Sequence, residues 1–245
     1  MKTPVEEKFS QFYESWIFHL DGYSNQLFTL SKQSVSSEEE QRALVSKLTS
    51  HHKEYYTVKW ASAHEDVLAF FSPVWLTNPE KVFSWVTGWK PSGMFRLLDT
   101  MKETGVLGGS LGRLTAEQGM KIKELRVKIR LEEEKVEREM ERQQVAMADR
   151  KIVELFKLGR LPRDGECVGQ VDGLAEVAVK SIMGGLEGVM KAADCVRLKT
   201  LKGILDVLSP QQSVDFLAGT CMLQIQLRQC GKRKVDTRKN QLLLE

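Results

Sequence analysis

One short motif in the chain has the residue types and spacing of a reactive serine turn. Residues 108–112 read Gly-Gly-Ser-Leu-Gly and match the G-x-S-x-G nucleophile elbow, in which a strained turn between a strand and a helix exposes the serine. That chemistry also needs an acid and a histidine after the serine, whereas all four histidines of the chain precede Ser110. The preceding segment is polar and broken by glycines, which does not predict a strand. We therefore interpret residues 105–112 as a flexible loop.

Metal, nucleotide and haem sites are also poorly supported by the residues present. His51 and His52 are adjacent and diverge by about 100° on a helix, unlike the i, i+4 pair of a metal site. No glycine leads into a Gly-Lys-Ser or Gly-Lys-Thr step, so no phosphate-binding loop is indicated. The four cysteines are widely spread without a Cys-x-x-Cys pair and fit reduced, mostly packed thiols. We predict no enzymatic activity, no cofactor and no metal.

Charged side chains form two further candidate features. Over residues 121–142 positively and negatively charged side chains alternate. Opposite charges at helical spacing typically form solvent-exposed ion pairs, each of which stabilises the helix by about 0.2–0.5 kcal/mol. Near the end of the chain, Lys232, Arg233 and Lys234 form a short basic cluster. Such a cluster can be a nuclear localisation signal, a tail that contacts phosphates or merely a segment that increases solubility. The residues alone leave these interpretations open.

Length and charge restrict the class of protein. A chain of 245 residues suffices for one sizeable core or two small ones. Lysine and arginine number 36 and aspartate and glutamate 33, so the net charge of +3 is far from that of a dedicated nucleic-acid binder. No apolar run reaches the roughly 18 residues of a membrane helix, and the N-terminus has no apolar signal core. We expect a soluble protein of the nucleus and cytoplasm.

Helix caps and apolar spacing predict an all-α bundle of long amphipathic helices. Apolar residues recur every three or four positions over residues 4–31, which predicts the first helix. Capping boxes that begin at Ser37 and Thr77 predict helices running to Phe71 and to about Gly88, and Pro91 opens another. We see no internal repeat and no clear strand.

The second half of the chain is predicted to contain three more helices. From Thr115 no helix breaker occurs before Gly159, so one very long charged helix of about 44 residues fits there. A glycine-rich linker is expected over residues 159–173, followed by a long helix that ends near Ser209. A final helix covers about residues 210–230, and residues 231–245 are expected to form a basic flexible tail.

Aromatic residues cluster on one face of the first predicted helix. Phe12, Tyr13 and Trp16 lie at spacings that place them together on this face. Such a face either docks into the domain, which we favour, or is offered to a partner protein. The sequence therefore nominates these three residues as candidates for partner binding.

Five ordered blocks of the sequence carry a family resemblance. They are residues 12–16 (Phe-Tyr-Glu-Ser-Trp), 55–61 (Tyr-Tyr-Thr-Val-Lys-Trp-Ala), 85–92 (Trp-Val-Thr-Gly-Trp-Lys-Pro-Ser), 114–118 (Leu-Thr-Ala-Glu-Gln) and 197–212. These blocks resemble the plant DELAY OF GERMINATION domain, a family that also supplies the C-terminal half of TGA-type leucine-zipper transcription factors. Within that family the chain is most similar to the DELAY OF GERMINATION-like seed proteins. The likeness covers about residues 6–230.

The resemblance implies a non-enzymatic regulator of seed maturation, dormancy and abscisic acid response that acts on protein partners such as type 2C protein phosphatases. It places Tyr13 and Trp16 on the segment that the family uses for partner contact and leaves self-association open. Because the domain begins almost at Met1, the family's basic leucine-zipper region is expected to be absent. Direct, sequence-specific DNA binding is therefore the alternative, and a small apolar ligand held between helices is a third possibility. Haem is not carried over, because Gln224 and Arg228 stand where some relatives have histidines.

Overall fold

The computed structural model describes residues 2–33, 37–105, 109–146, 148, 153 and 165–242, with side chains omitted at 165–175 and 234–242. Eight α-helices and one 3₁₀ turn account for most of this part of the chain, which contains no strand. The predicted all-α class is confirmed. The helices are α1 (Pro4–Lys32), α2 (Glu38–Glu65), α3 (Leu68–Phe71), α4 (Asn78–Val82), α5 (Ser92–Thr104), α6 (Ala116–Ala146), α7 (Gly165–Val207) and α8 (Pro210–Leu242).

Helix α1 begins at a reciprocal cap. The Thr3 hydroxyl accepts the Glu6 backbone N–H at 3.2 Å, and a Glu6 carboxylate oxygen accepts the Thr3 N–H at 2.8 Å. Two backbone donors that a helix start leaves unpaired are thereby satisfied, and Pro4 occupies the first turn, where it needs no donor. The buried face follows the predicted spacing and consists of Val5, Phe9, Tyr13, Trp16, Leu20, Ser24 and Leu27.

Helix α2 is shorter than the sequence predicts. It was expected to run to Phe71 but ends at Glu65, and α3 forms as a separate turn. The backbone of Asp66 is extended, and its side-chain Oδ1 accepts the Ala69 N–H at 3.2 Å. This carboxylate caps the next turn in competition with the helical pattern of α2, so the chain changes direction there.

Helix α4 also ends earlier than predicted, at Val82 rather than near Gly88. Residues 85–88 instead form a tight turn closed by a bridge between Trp85 and Gly88. Val86 and Thr87 have φ angles of 42° and 62°. A right-handed helix cannot pass through residues in this left-handed region, which is rare for β-branched side chains.

The C-terminal half contains more helix than the sequence predicts. The linker expected over residues 159–173 is wrong from residue 165 onward, because α7 begins at Gly165, and residues 154–164 lie outside the described part. Helix α6 is described to Ala146, short of the 44 residues expected. The last helix does not end at 230 but continues to Leu242. The division into a 6–230 domain and a 231–245 tail stays a prediction.

The first and last helices close the bundle. Helix α1 packs against α2 and α8, while α6 packs along α7. Helix α8 also crosses α4 at Gly231, where an added Cβ would lie 2.3 Å from the Thr77 hydroxyl oxygen. Only glycine therefore permits this close approach. Fully buried aromatic residues from four different helices fill the interior: Phe9, Phe70, Phe95 and Phe216.

Candidate functional site

The aromatic residues nominated for partner binding belong largely to the core. Tyr13 and Trp16 are 3% and 4% exposed, and Phe12 is half-buried. The Trp16 indole N–H donates to the His51 carbonyl oxygen at 3.0 Å, and the two rings stack with centroids 4.9 Å apart. The structure thus has the docked arrangement that the sequence favoured. Partner contact through Phe12, Tyr13 and Trp16 stays a prediction.

A buried ion pair links this aromatic face to the last helix. Arg228 Nη1 lies 3.1 Å from Glu80 Oε2, and both side chains are almost fully buried. The Tyr13 hydroxyl donates to Glu80 Oε1 at 3.0 Å, and the Arg228 guanidinium lies 4.8 Å from the Tyr13 ring centroid. Burial, and next the Glu80 charge, raise the pKa of Tyr13 well above 10, so the phenol keeps its proton and acts as a donor.

The basic cluster near the chain end is partly engaged in this network. Lys232 Nζ lies 3.0 Å from Glu14 Oε2, and Arg228 also pairs with Glu14. The Arg233 side chain is exposed, and the Lys234 side chain lies outside the described residues. Lys232 thereby ties α8 to α1. That this cluster acts as a nuclear localisation signal or contacts phosphates stays a prediction.

A second buried cluster joins α2 to α7. Lys59 Nζ lies 2.9 Å from Asp194 Oδ1, Arg197 Nη1 lies 2.5 Å from the same oxygen, and all three side chains are at most 3% exposed. The Trp60 indole N–H donates to the other carboxylate oxygen at 3.0 Å. Burial lowers the pKa of Lys59 to about 8, against the opposing effect of the Asp194 charge.

This second cluster also holds the turn over residues 85–88. Arg197 Nε donates to the Trp89 carbonyl oxygen at 2.7 Å, and Arg197 Nη2 donates to the carbonyl oxygens of Trp85 and Val86. A Cβ at Gly88 would lie 2.9 Å from the Arg197 guanidinium carbon, so glycine is needed where the turn meets this side chain. These hydrogen bonds from the buried Arg197 side chain hold the left-handed backbone of the turn in place. A strained backbone persists only where the surrounding structure stabilises it.

A cavity of about 430 Å³ lies between the two clusters. Glu80 belongs to one cluster and Lys59, Asp194 and Arg197 to the other, and all four contribute to its wall. Most of the remaining wall is aromatic or aliphatic, including Trp16, Tyr55, Tyr56, Trp89, Leu97 and Leu223. An apolar chamber of this size with a few polar groups has the character of a small-molecule site.

Sequence reasoning did not nominate the charged residues of either cluster. One signal was available, since Asp194 and Arg197 fall on the apolar stripe of α7 that also carries Met190 and Ala193. A charge at such a position is almost always paired when buried. Its partner Lys59 is 135 positions away in sequence, and nothing local identifies it.

Two other kinds of site receive no support from the described residues. No group of three or more histidine, cysteine, aspartate or glutamate side chains in the described part of the chain could hold a metal ion. Among the described helices, none is long and apolar enough to span a membrane.

Fold and site together define an all-α domain in which two buried ion-pair clusters frame an apolar cavity. The family model described as seed dormancy control matches residues 24–100. The chain is also 53% identical to Protein DOG1-like 4 of Arabidopsis thaliana, over 96% of each chain. It therefore belongs to the DOG1 family and is a regulatory protein related to seed dormancy.

More distant relatives fall into two groups. Protein RESPONSE TO ABA AND SALT 1 of Arabidopsis thaliana is 29% identical over 92% of this chain and 96% of its own length. The TGACG-sequence-specific DNA-binding protein TGA-2.1 of Nicotiana tabacum is 28% identical over 84% of this chain but only 42% of its own length. The predicted relation to both the seed proteins and the TGA factors is confirmed.

Proposed function

We propose that the chain is a non-enzymatic regulator of seed maturation, dormancy and the abscisic acid response that acts by binding other proteins. The observation that carries this proposal is the 53% identity to Protein DOG1-like 4 over 96% of each chain. The similarity to Protein RESPONSE TO ABA AND SALT 1 supports the hormone link. Because the buried charged side chains around the cavity are occupied in structural pairs, the site favours binding over acid–base catalysis.

Two exposed apolar groups are suited to contact a protein partner. Phe18 on the outer face of α1 is 75% exposed, and Val82 at the end of α4 and Phe83 directly after it are 78% and 63% exposed. Exposed aromatic side chains are frequent anchors in protein interfaces. We propose that the partners are type 2C protein phosphatases and that binding takes place in the nucleus and cytoplasm. We propose that a partner also contacts the accessible part of Phe12, which lies about 120° from Phe18 around α1, while Tyr13 and Trp16 are buried in the core.

Binding of the purified chain to purified type 2C protein phosphatases tests this assignment. We expect Phe18→Ser and Phe83→Ser to weaken binding at least tenfold, about 1.4 kcal/mol each, as measured by titration calorimetry. Val127→Ser is the matched control, because Val127 on α6 is also 63% exposed. The proposal fails if no phosphatase binds, or if Val127→Ser weakens binding as much as Phe18→Ser and Phe83→Ser do.

Germination tests the biological role separately. Expression of the chain in Arabidopsis thaliana seeds should delay germination and increase the response to added abscisic acid. The double variant Phe18→Ser/Phe83→Ser should lose this effect while accumulating to the same level. Unchanged germination with the unaltered chain would contradict the dormancy role.

Direct, sequence-specific DNA binding is the alternative function, suggested by the similarity to TGA-2.1. The chain spans less than half of that relative, and several basic side chains of α6 already pair with acidic neighbours, as Lys121 does with Glu117 and Arg142 with Glu139. Affinity that falls steeply with salt and requires residues 232–245 would support this alternative. Absence of binding near physiological salt would exclude it.

A further inference from the structure

The cavity carries polar groups that the protein does not use itself. The Tyr55 and Tyr56 side chains line it, and neither hydroxyl forms a hydrogen bond within the described part of the chain. His52 supplies a third group. Its Nδ1 lies 3.0 Å from the Leu48 carbonyl oxygen, so Nδ1 donates there and Nε2 keeps a free lone pair. These half-buried side chains leave two hydroxyl donors and one ring-nitrogen acceptor available to a bound molecule.

The buried charged groups in the cavity wall are, by contrast, already occupied. Lys59 Nζ donates to Asp194 and to both the carbonyl and the hydroxyl oxygen of Thr87. Glu80 accepts from Tyr13 and Arg228. A charged ligand group at this depth would therefore lack a counter-ion and would lose its hydration without compensation. Burial also lowers the pKa of His52 to about 4, so the imidazole adds no charge near neutral pH.

The shape of the cavity selects for a rigid, largely apolar body. Trp16, Tyr55 and Trp89 line a chamber that is completed by aliphatic side chains such as Leu97 and Leu223. A wall rich in aromatic side chains favours ring systems, because rigid rings bury much surface at little cost in conformational entropy. A volume of about 430 Å³ lies within the range of drug-sized ligand sites.

We infer that this cavity binds a small uncharged molecule with a rigid ring body and at least one carbonyl or hydroxyl oxygen. A carbonyl oxygen accepts from the Tyr55 or the Tyr56 hydroxyl, and a ligand hydroxyl donates to His52 Nε2. The ring body packs between the aromatic walls. This site goes beyond the proposed regulatory function and does not depend on the identity of any protein partner.

An acidic amphipathic molecule is the competing ligand class. Arg96 lines the cavity and is exposed, and it has no ion-pair partner in the part of the chain that the structure describes. It could hold a carboxylate only in contact with solvent, where ion pairs contribute little. The Tyr55 and Tyr56 side chains are half-buried whereas Arg96 is exposed, so the uncharged class uses hydroxyls that the acidic class leaves unpaired.

Nile red, an uncharged fused-ring dye with a carbonyl group, is a suitable probe. Its fluorescence should increase saturably on titration with the full chain, with one dye bound per molecule. Gly93 lines the cavity and has no neighbour within 4 Å of an added Cβ, so Gly93→Leu adds side-chain volume at the cavity wall and should weaken binding at least tenfold. Gly119→Leu, at an equally open helix position outside the cavity, should leave binding within twofold.

The polar contacts are tested with Tyr55→Phe and Tyr56→Phe, each of which removes one hydroxyl and should weaken Nile red binding about two- to tenfold. Circular dichroism confirms that every variant remains folded. Absence of saturable dye binding, or equal affinity in Gly93→Leu and Gly119→Leu, would overturn the site. Tighter binding of 11-(dansylamino)undecanoic acid than of Nile red, abolished by Arg96→Ala, would overturn the uncharged class.

Discussion

At the scale of single residues, Arg228→Met tests the buried ion pair between α8 and α4. Methionine preserves much of the side-chain length but leaves Glu80 without its cation at a position that is 3% exposed. Removal of one partner from a buried pair costs about 3–5 kcal/mol, because the remaining charge is uncompensated. Urea denaturation should report a loss of stability of this size.

The exposed pair between Arg42 and Glu38 provides the control, since these side chains are 68% and 73% exposed. Arg42→Met should change the free energy of unfolding by less than about 1 kcal/mol, because solvent screens the pair. Similar losses in Arg228→Met and Arg42→Met would show that burial does not determine the contribution of the Arg228 pair.

His52 should make stability depend on pH. Burial lowers its pKa in the folded state to about 4, against 6.5 for an ordinary histidine, although the Leu48 carbonyl opposes this shift. Between these two pKa values the unfolded chain binds more protons than the folded chain. The contribution of His52 to the free energy of unfolding is therefore fully present above pH 6.5 and is lost as the pH falls towards 4. The loss amounts to about 3 kcal/mol at most.

Unfolding measured at pH 7 and pH 4.5 checks this expectation. His52→Gln should flatten the pH dependence, and His51, whose pKa burial also lowers, accounts for part of the remaining slope. His64→Gln, at a side chain that is 81% exposed, serves as the control and should leave the slope in place. An unchanged slope in His52→Gln would contradict the assignment.

At the scale of helices, Gly231 and Gly188 should respond to alanine with opposite signs. An added Cβ at Gly231 would lie 2.4 Å from Thr77 Cβ, so α8 and α4 must separate at a cost of about 1–3 kcal/mol. At Gly188 nothing lies within 4 Å, and alanine should stabilise α7 by about 0.4–1 kcal/mol. Thermal unfolding of both variants distinguishes the signs, and stabilisation by Gly231→Ala would contradict the close crossing.

At the scale of the whole molecule, the contacts between α1 and α8 predict one cooperative unfolding transition. All five tryptophans lie between residues 16 and 89, whereas α7 and α8 contribute much of the helix content. Tryptophan fluorescence and far-ultraviolet circular dichroism therefore report on different regions, and their urea midpoints should coincide. Two separate midpoints would mean that α6 and α7 unfold independently of the rest.

Helix starts were predictable, whereas several helix ends were not. Thr3, Ser37 and Thr77 cap helices through contacts three residues away, which the sequence displays directly. The end of α4 depends on a turn that Arg197 holds from more than a hundred positions away. Gly184, Gly185 and Gly188 lie within α7 although glycine disfavours helix, because packing against α6 overrides that preference.

The sequence by itself determined the all-α class, the face of each long helix that is buried, and the family, because apolar spacing, caps and residue blocks are local patterns. Only the tertiary structure decided that Lys59 meets Asp194, that Arg228 meets Glu80, and that a cavity lies between the two ion-pair clusters. The physical reason is distance along the chain. Ion pairs and cavities form between side chains brought together by packing, and no local spacing encodes which distant helix supplies the partner.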